Sequence, residues 1–164
     1  MKPIGPLELA TAIEQFGLFG RTAKSVRLTL FLPDEILAKR IGKKFAHRVK
    51  QYERPDGTTV WIIDFGRRLT SKIAGALAPL FRCSSHQELA ALLLPLLAAN
   101  KLIKSKTGRL NAPWMRRGGA RAAATRDAAI AERDALHASV LPLQAATRKC
   151  SRLGLDKTEQ SMVE

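Results

Sequence analysis

Apolar and polar positions change their period several times along this chain, and each change marks an element. After Pro6, the residues Leu7, Ala10, Ile13 and Phe16 recur at helical spacing until Gly17 and Gly20 interrupt them, which predicts a short first helix. Ser25 to Leu32, SVRLTLFL, alternates instead. Val26, Leu28, Leu30 and Leu32 fall on one face and Arg27, Thr29 and Phe31 on the other, the period of two expected of a strand. Pro33, Asp34 and Glu35 then form a favourable helix entry, with proline in the first turn and acids at the positive end of the dipole, so a helix is expected to about Ala46.

Pro55-Asp56-Gly57 separates RVKQYER from TTVWIIDF, and a turn tripeptide between two extended runs predicts a hairpin within residues 48–65. Its second strand is apolar on both sides, with Val60 and Ile62 facing one way and Trp61, Ile63 and Phe65 the other. It is therefore expected to be central, with a helix across each face. From Arg67 a helix with the stripe Leu69, Ile73, Ala76, Leu77 and Leu80 should reach Phe81. Ser85-His86-Gln87-Glu88 matches a capping box and places the next helix start near His86. Leu89, Leu92, Leu93, Leu96 and Leu97 give that helix a broad core face, and Pro95 should kink it. Ala120 to Ala138 favours helix by propensity, but its small side chains bury little area and Pro142 should end it.

These elements define an α+β fold, mainly helical, with a small antiparallel sheet near residues 25–65 and a basic helical C-terminal arm. A compact domain over residues 1–100 is expected, followed by the Ala/Arg-rich arm and a frayed polar tail over residues 101–164.

Charge then changes the picture from fold to partner. The chain carries 28 Lys and Arg against 14 Asp and Glu, a net charge of +14, and so much fixed positive charge persists most readily beside a polyanion. Nucleic acid fits better than an anionic membrane or an acidic protein surface. The cations gather in two places. The helix from residue 34 turns Ile36, Leu37, Ile41 and Phe45 inward and leaves Lys39, Arg40, Lys43, Lys44 and Arg48 as a first basic patch. Residues 101–126 hold eight cations and no acid, including Lys101, Lys104, Lys106, Arg109, Arg116, Arg117 and Arg121, with Trp114 among them. Trp114 has two readings, stacking on an unpaired base or pinning the arm to the core.

Other classes of chemistry find little footing. His47, His86 and His137 are isolated and form no metal-ligand motif, and the glycines spell neither GxxxxGK[ST] nor GxGxxG, so no metal or cofactor is expected. Local roles account for most carboxylates and leave Asp64 the least explained, and one aspartate is weak evidence for acid–base catalysis. Cys83 and Cys150 lack CxxC spacing, which suggests neither zinc nor a disulfide framework and favours the reducing cytoplasm. The start of the chain, with Glu8, Glu14, Pro3 and Pro6, makes a poor signal peptide. The longest apolar run, Leu89 to Ala99, falls short of the roughly 20 residues that span a membrane.

One local resemblance sharpens the nucleic-acid reading. Arg27 to Ile36, RLTLFLPDEI, resembles the strand and helix entry of ribbon-helix-helix DNA-binding proteins. That resemblance implies a homodimer whose paired strands enter the major groove, with Arg27, Thr29 and Phe31 facing base edges. Arginine and threonine suit that task, and phenylalanine suits it less. In the family a second helix follows after a tight turn, whereas here the hairpin within residues 48–65 intervenes.

The expected function is a non-enzymatic DNA-binding regulator or accessory factor of bacterial or mobile-element type, with DNA favoured over RNA. The alternative is a structural subunit or inhibitor docked within a larger nucleoprotein complex, using the leucine-rich helix at residues 86–99. A nucleic-acid enzyme is a third possibility and requires Asp64, Glu53 and a histidine to converge in one cleft.

Overall fold

A computed structural model describes residues 2–22, 25–109 and 119–150. Their order is α1 (Pro6–Phe16), β1 (Gly17–Thr22), β2 (Ser25–Leu32), α2 (Glu35–Phe45), β3 (Lys50–Glu53), β4 (Thr59–Phe65), α3 (Arg67–Leu77), a 3-10 turn (Ala78–Leu80), α4 (Ser84–Arg109) and α5 (Gly119–Cys150). The fold is α+β and mainly helical, with one four-stranded antiparallel sheet in the order β1-β2-β4-β3.

The alternation in SVRLTLFL sets the sheet's two faces. Leu28, Leu30 and Leu32 lie opposite Phe65, Ile63 and Trp61 of β4, and Phe19 of β1 lies opposite Leu28. This face joins the principal core, where Ile13, Ile41, Ile73, Leu77, Leu89 and Leu93 arrive from α1 to α4. The other face carries a smaller cluster of Leu18, Phe31 and Val60, with Ile62 against it. Strand β4 is central, as its two apolar faces predict. Among the described residues that smaller cluster is built from strand residues alone.

Strand β1 replaces the loop implied by Gly17 and Gly20. Helix α1 passes into it without a linker, and a Cβ at Gly17 would lie 2.4 Å from the Ile13 carbonyl oxygen, so the junction needs glycine. At the far end of the β2–β4 ladder the fully buried Thr70 completes the pairing. Its Oγ1 accepts from the Leu28 N–H at 3.0 Å and donates to the Phe65 carbonyl at 3.1 Å, so neither backbone group is left orphaned.

The last two helices differ most from expectation. Helix α4 begins at Ser84, and its approach is capped from α1, because Glu14 Oε1 accepts from the Arg82 and Cys83 N–H groups at 2.6 and 2.8 Å. It runs through Pro95 to Arg109, past residue 100. Helix α5 runs through Pro142 to Cys150 and packs along α4. Val140 is fully buried in the principal core, and Gln144 Nε2 donates to the Phe19 carbonyl of edge strand β1 at 2.8 Å. Alanine-rich composition understated this docking, in which Leu136 and Leu143 flank Val140 against the core beside the buried Gln144 and Thr147.

Cys83 is disulfide-bonded, and the chain's one other cysteine is Cys150. The absence of CxxC spacing did not suggest this bond. No helix among the described residues is long and apolar enough to cross a membrane.

Candidate nucleic-acid interface

Helix α2 supplies the first part of the candidate site. Asp34 caps it, with Oδ1 accepting from the Ile36 and Leu37 N–H groups at 2.7 and 3.4 Å. Its other end stops at Ala46, which adopts the left-handed conformation at φ 51° and lets the His47 N–H return to the Gly42 carbonyl at 2.9 Å. That turn aims both flanking rings at β4. Phe45 meets the Phe65 ring edge-on at 5.4 Å, and His47 stacks on it at 5.2 Å. Phe65 is followed directly by Gly66 and the first turn of α3, so the end of α2 and the start of α3 are brought together.

Cations at this junction divide by what they touch. Arg40 is committed to the fold: its Nη1 and Nη2 donate to the two Glu8 carboxylate oxygens at 2.6 and 2.8 Å, and its Nε donates to the Lys2 carbonyl at 2.9 Å. This fork holds the Glu8 carboxyl below its ordinary pKa, chiefly through the hydrogen bond from Arg40. Lys44 Nζ donates to the Ile4 carbonyl at 3.0 Å, and Lys39 pairs with Glu35 one turn earlier on α2. Arg40 and Lys44 thus strap the N-terminal segment onto α2.

Lys43, Arg48, Arg67, Arg68 and Lys72 are exposed, and none takes part in an ion pair among the described residues. The first two were expected as site residues. Arg67, Arg68 and Lys72 were not, although the sequence carries a signal: Gly66-Arg67-Arg68 opens a helix whose first turn contains no acid. Cations at the positive end of a helix dipole oppose it, each at roughly 0.3–1 kcal/mol. Nothing in the packing of α3 requires them there.

The remaining site residues are dispersed. Arg27 is exposed on the sheet face opposite the helices. Thr29 is buried and donates to Asp64 Oδ1 at 2.9 Å, so it is not presented to a base edge. Strand β2 is paired on both sides, by β1 and β4, and the inter-protomer ribbon implied by the resemblance would require one pairing to open. Lys101, Lys104, Lys106 and Arg109 lie on the last turns of α4 and Arg121 on the first turns of α5, with side chains outside the described ones. Trp114, Arg116, Arg117 and the tail from Ser151 lie outside the described residues.

The carboxylates named for catalysis do not share a cleft. Asp64 also accepts from Lys50 Nζ at 3.1 Å, and it lies on the face of Val60 and Ile62, whereas Glu53 pairs with Thr59 and lies on the opposite face. His86 is fully buried between the rings of Phe19 and Phe81, not at the surface. Burial lowers its pKa, against an opposing pull from Glu14. No group of three or more His, Cys, Asp or Glu among the described residues is placed to hold a metal ion. No protein-family model, curated protein or solved structure matches the chain.

Proposed function

We propose that this protein is a non-enzymatic nucleic-acid-binding factor, a DNA-binding regulator or accessory protein, that grips backbone phosphates with the junction of α2 and α3. The observation that carries the reading is a set of five exposed cations on α2, the loop after it and α3, Lys43, Arg48, Arg67, Arg68 and Lys72, outside every described ion pair. Two of them occupy the end of a helix where their charge is unfavourable for the isolated fold. A phosphate placed there meets both the guanidinium groups and the free amides of the first turn, and it reverses the sign of that interaction. Duplex DNA is favoured because Lys43, Arg67 and Arg68 sit on helix ends, which can follow a phosphate ridge.

The test is binding of full-length protein to duplex DNA, single strands and structured RNA across a salt series. Five phosphate contacts predict a slope of log K against log salt of about −4.5 on duplex DNA. A flat salt response sinks the reading. A second reading, a subunit or inhibitor docked in a nucleoprotein complex, draws on Leu7, Ile36, Leu94 and Leu141, large apolar side chains that remain exposed on four different helices. Monodisperse protein that binds duplex DNA unaided argues against it.

A further inference from the structure

We propose that the trough enclosed by α1, α2 and α3 is an effector site for an anionic amphiphile with one unbranched apolar tail, a medium-chain carboxylate. The trough has a volume of about 370 Å³, near the lower end of the roughly 300–1,000 Å³ typical of small-ligand sites. Leu9 comes from α1, Phe45 from α2, and Leu69, Ile73 and Leu77 from α3, so its walls are apolar. The only charged groups lining it among the described residues are two ammoniums, Lys44 from α2 and Lys72 from α3. The Lys44 Nζ donates to the Ile4 carbonyl at 3.0 Å and lies 5.9 Å from the centre of the Phe45 ring, itself a wall of the trough.

This distribution selects the ligand's chemistry. A phosphodiester satisfies the lysines but leaves the apolar walls wet, and a neutral hydrocarbon fills the trough but ignores both charges. A carboxylate between Lys44 and Lys72 with its tail against Leu69 and Ile73 answers both. Lys72 also belongs to the cationic junction, and Lys43 adjoins Lys44 on α2. The regulatory consequence rests on the nucleic-acid reading above: the bound carboxylate neutralises part of the junction and weakens its hold on duplex DNA.

Isothermal titration calorimetry on the full chain tests the site without nucleic acid, using decanoate below its micelle-forming concentration, decan-1-ol and acetate. Decanoate should bind with one-to-one stoichiometry, decan-1-ol at least tenfold more weakly, and acetate without measurable heat. Lys72→Glu should weaken decanoate at least tenfold, and Ala76→Trp, which places an indole in the trough, should abolish binding. Lys72 is exposed, so its variant carries the test even if Ala76→Trp does not fold. Equal binding of decanoate and decan-1-ol, retention in the Ala76→Trp variant, or no saturable binding at millimolar decanoate overturns the site. In the duplex-binding assay, saturating decanoate should weaken affinity several-fold, and an unchanged affinity overturns the effector role. Saturable decanoate binding by a protein that holds no nucleic acid sinks the nucleic-acid reading and leaves the ligand site standing.

Discussion

The polar groups of the helix-packed core and those of the α2–α3 junction obey opposite rules. In and around the core they are satisfied internally: Thr70 closes the β2–β4 ladder, Glu14 caps the approach to α4, and Arg40 is forked onto Glu8. At the junction, Lys43, Arg48, Arg67, Arg68 and Lys72 remain outside the described ion pairs, and two of them stand where the helix dipole disfavours them. Counting charge along α2 places Arg40 and Lys43 in one patch, but Arg40 is forked onto Glu8 and Lys43 stands outside the described ion pairs.

Substitutions should separate the two regions. The largest effect is expected from Arg67→Gln with Arg68→Gln. Duplex affinity should fall at least tenfold and the salt slope should flatten by about two, measured by fluorescence anisotropy. Stability should rise slightly, because removing the cations relieves the dipole conflict. A double variant that binds duplex DNA as the parent does breaks the comparison.

Thr70→Val should do the reverse, since it orphans the Leu28 N–H and removes the donor to Phe65. A loss of about 1–3 kcal/mol in urea unfolding is expected, with duplex affinity per folded molecule unchanged. Arg40→Gln should lower the melting temperature by less than Thr70→Val and likewise spare binding. A large loss of affinity there would return Arg40 to the phosphate-gripping set.

His86 is an exception within the core, with neither ring nitrogen hydrogen-bonded among the described residues and its pKa lowered by burial. The fold favours the neutral ring, whereas the unfolded chain takes up a proton near the ordinary value of 6.5. Its contribution to stability is therefore complete above that pH and is lost as pH falls below it. Thermal melts from pH 8 to pH 5 should show this decline, and His86→Phe should flatten it. An unchanged profile in that variant would place the acid sensitivity elsewhere. The smallest effect is expected from Lys39→Ala, whose exposed pair with Glu35 contributes at most about 0.5 kcal/mol.

Much of the sheet was legible in the sequence because its signals are local. The alternation of SVRLTLFL, the Pro55-Asp56-Gly57 turn and the doubly apolar β4 each specify an element within a few residues. Strand β1 was hidden because GLFGRT offers only two large apolar residues between glycines, and its pairing with β2 decides its state. The reach of α5 was hidden for a related reason. Its docking rests on a narrow stripe, Leu136, Val140 and Leu143, set in a run of alanines, and on a glutamine donating to a carbonyl 125 residues away. The site was half visible. Lys43 and Arg48 follow from the patch on α2, but the separation of Arg40 from them depends on Glu8, and the role of Arg67 and Arg68 depends on Phe65 carrying them to the end of α2.

The hydrogen bond from Gln144 to Phe19 has a further consequence for the sheet's growth. On one flank β3 is only four residues long, with the exposed Lys50, Gln51 and Glu53 along it, and on the other β1 is sheltered by a helix from the far end of the chain. Both are ways of refusing an added strand. Clipping that last helix would bare a template for strand-by-strand polymerisation, so an intact C-terminal helix also serves to keep separate copies of the molecule apart.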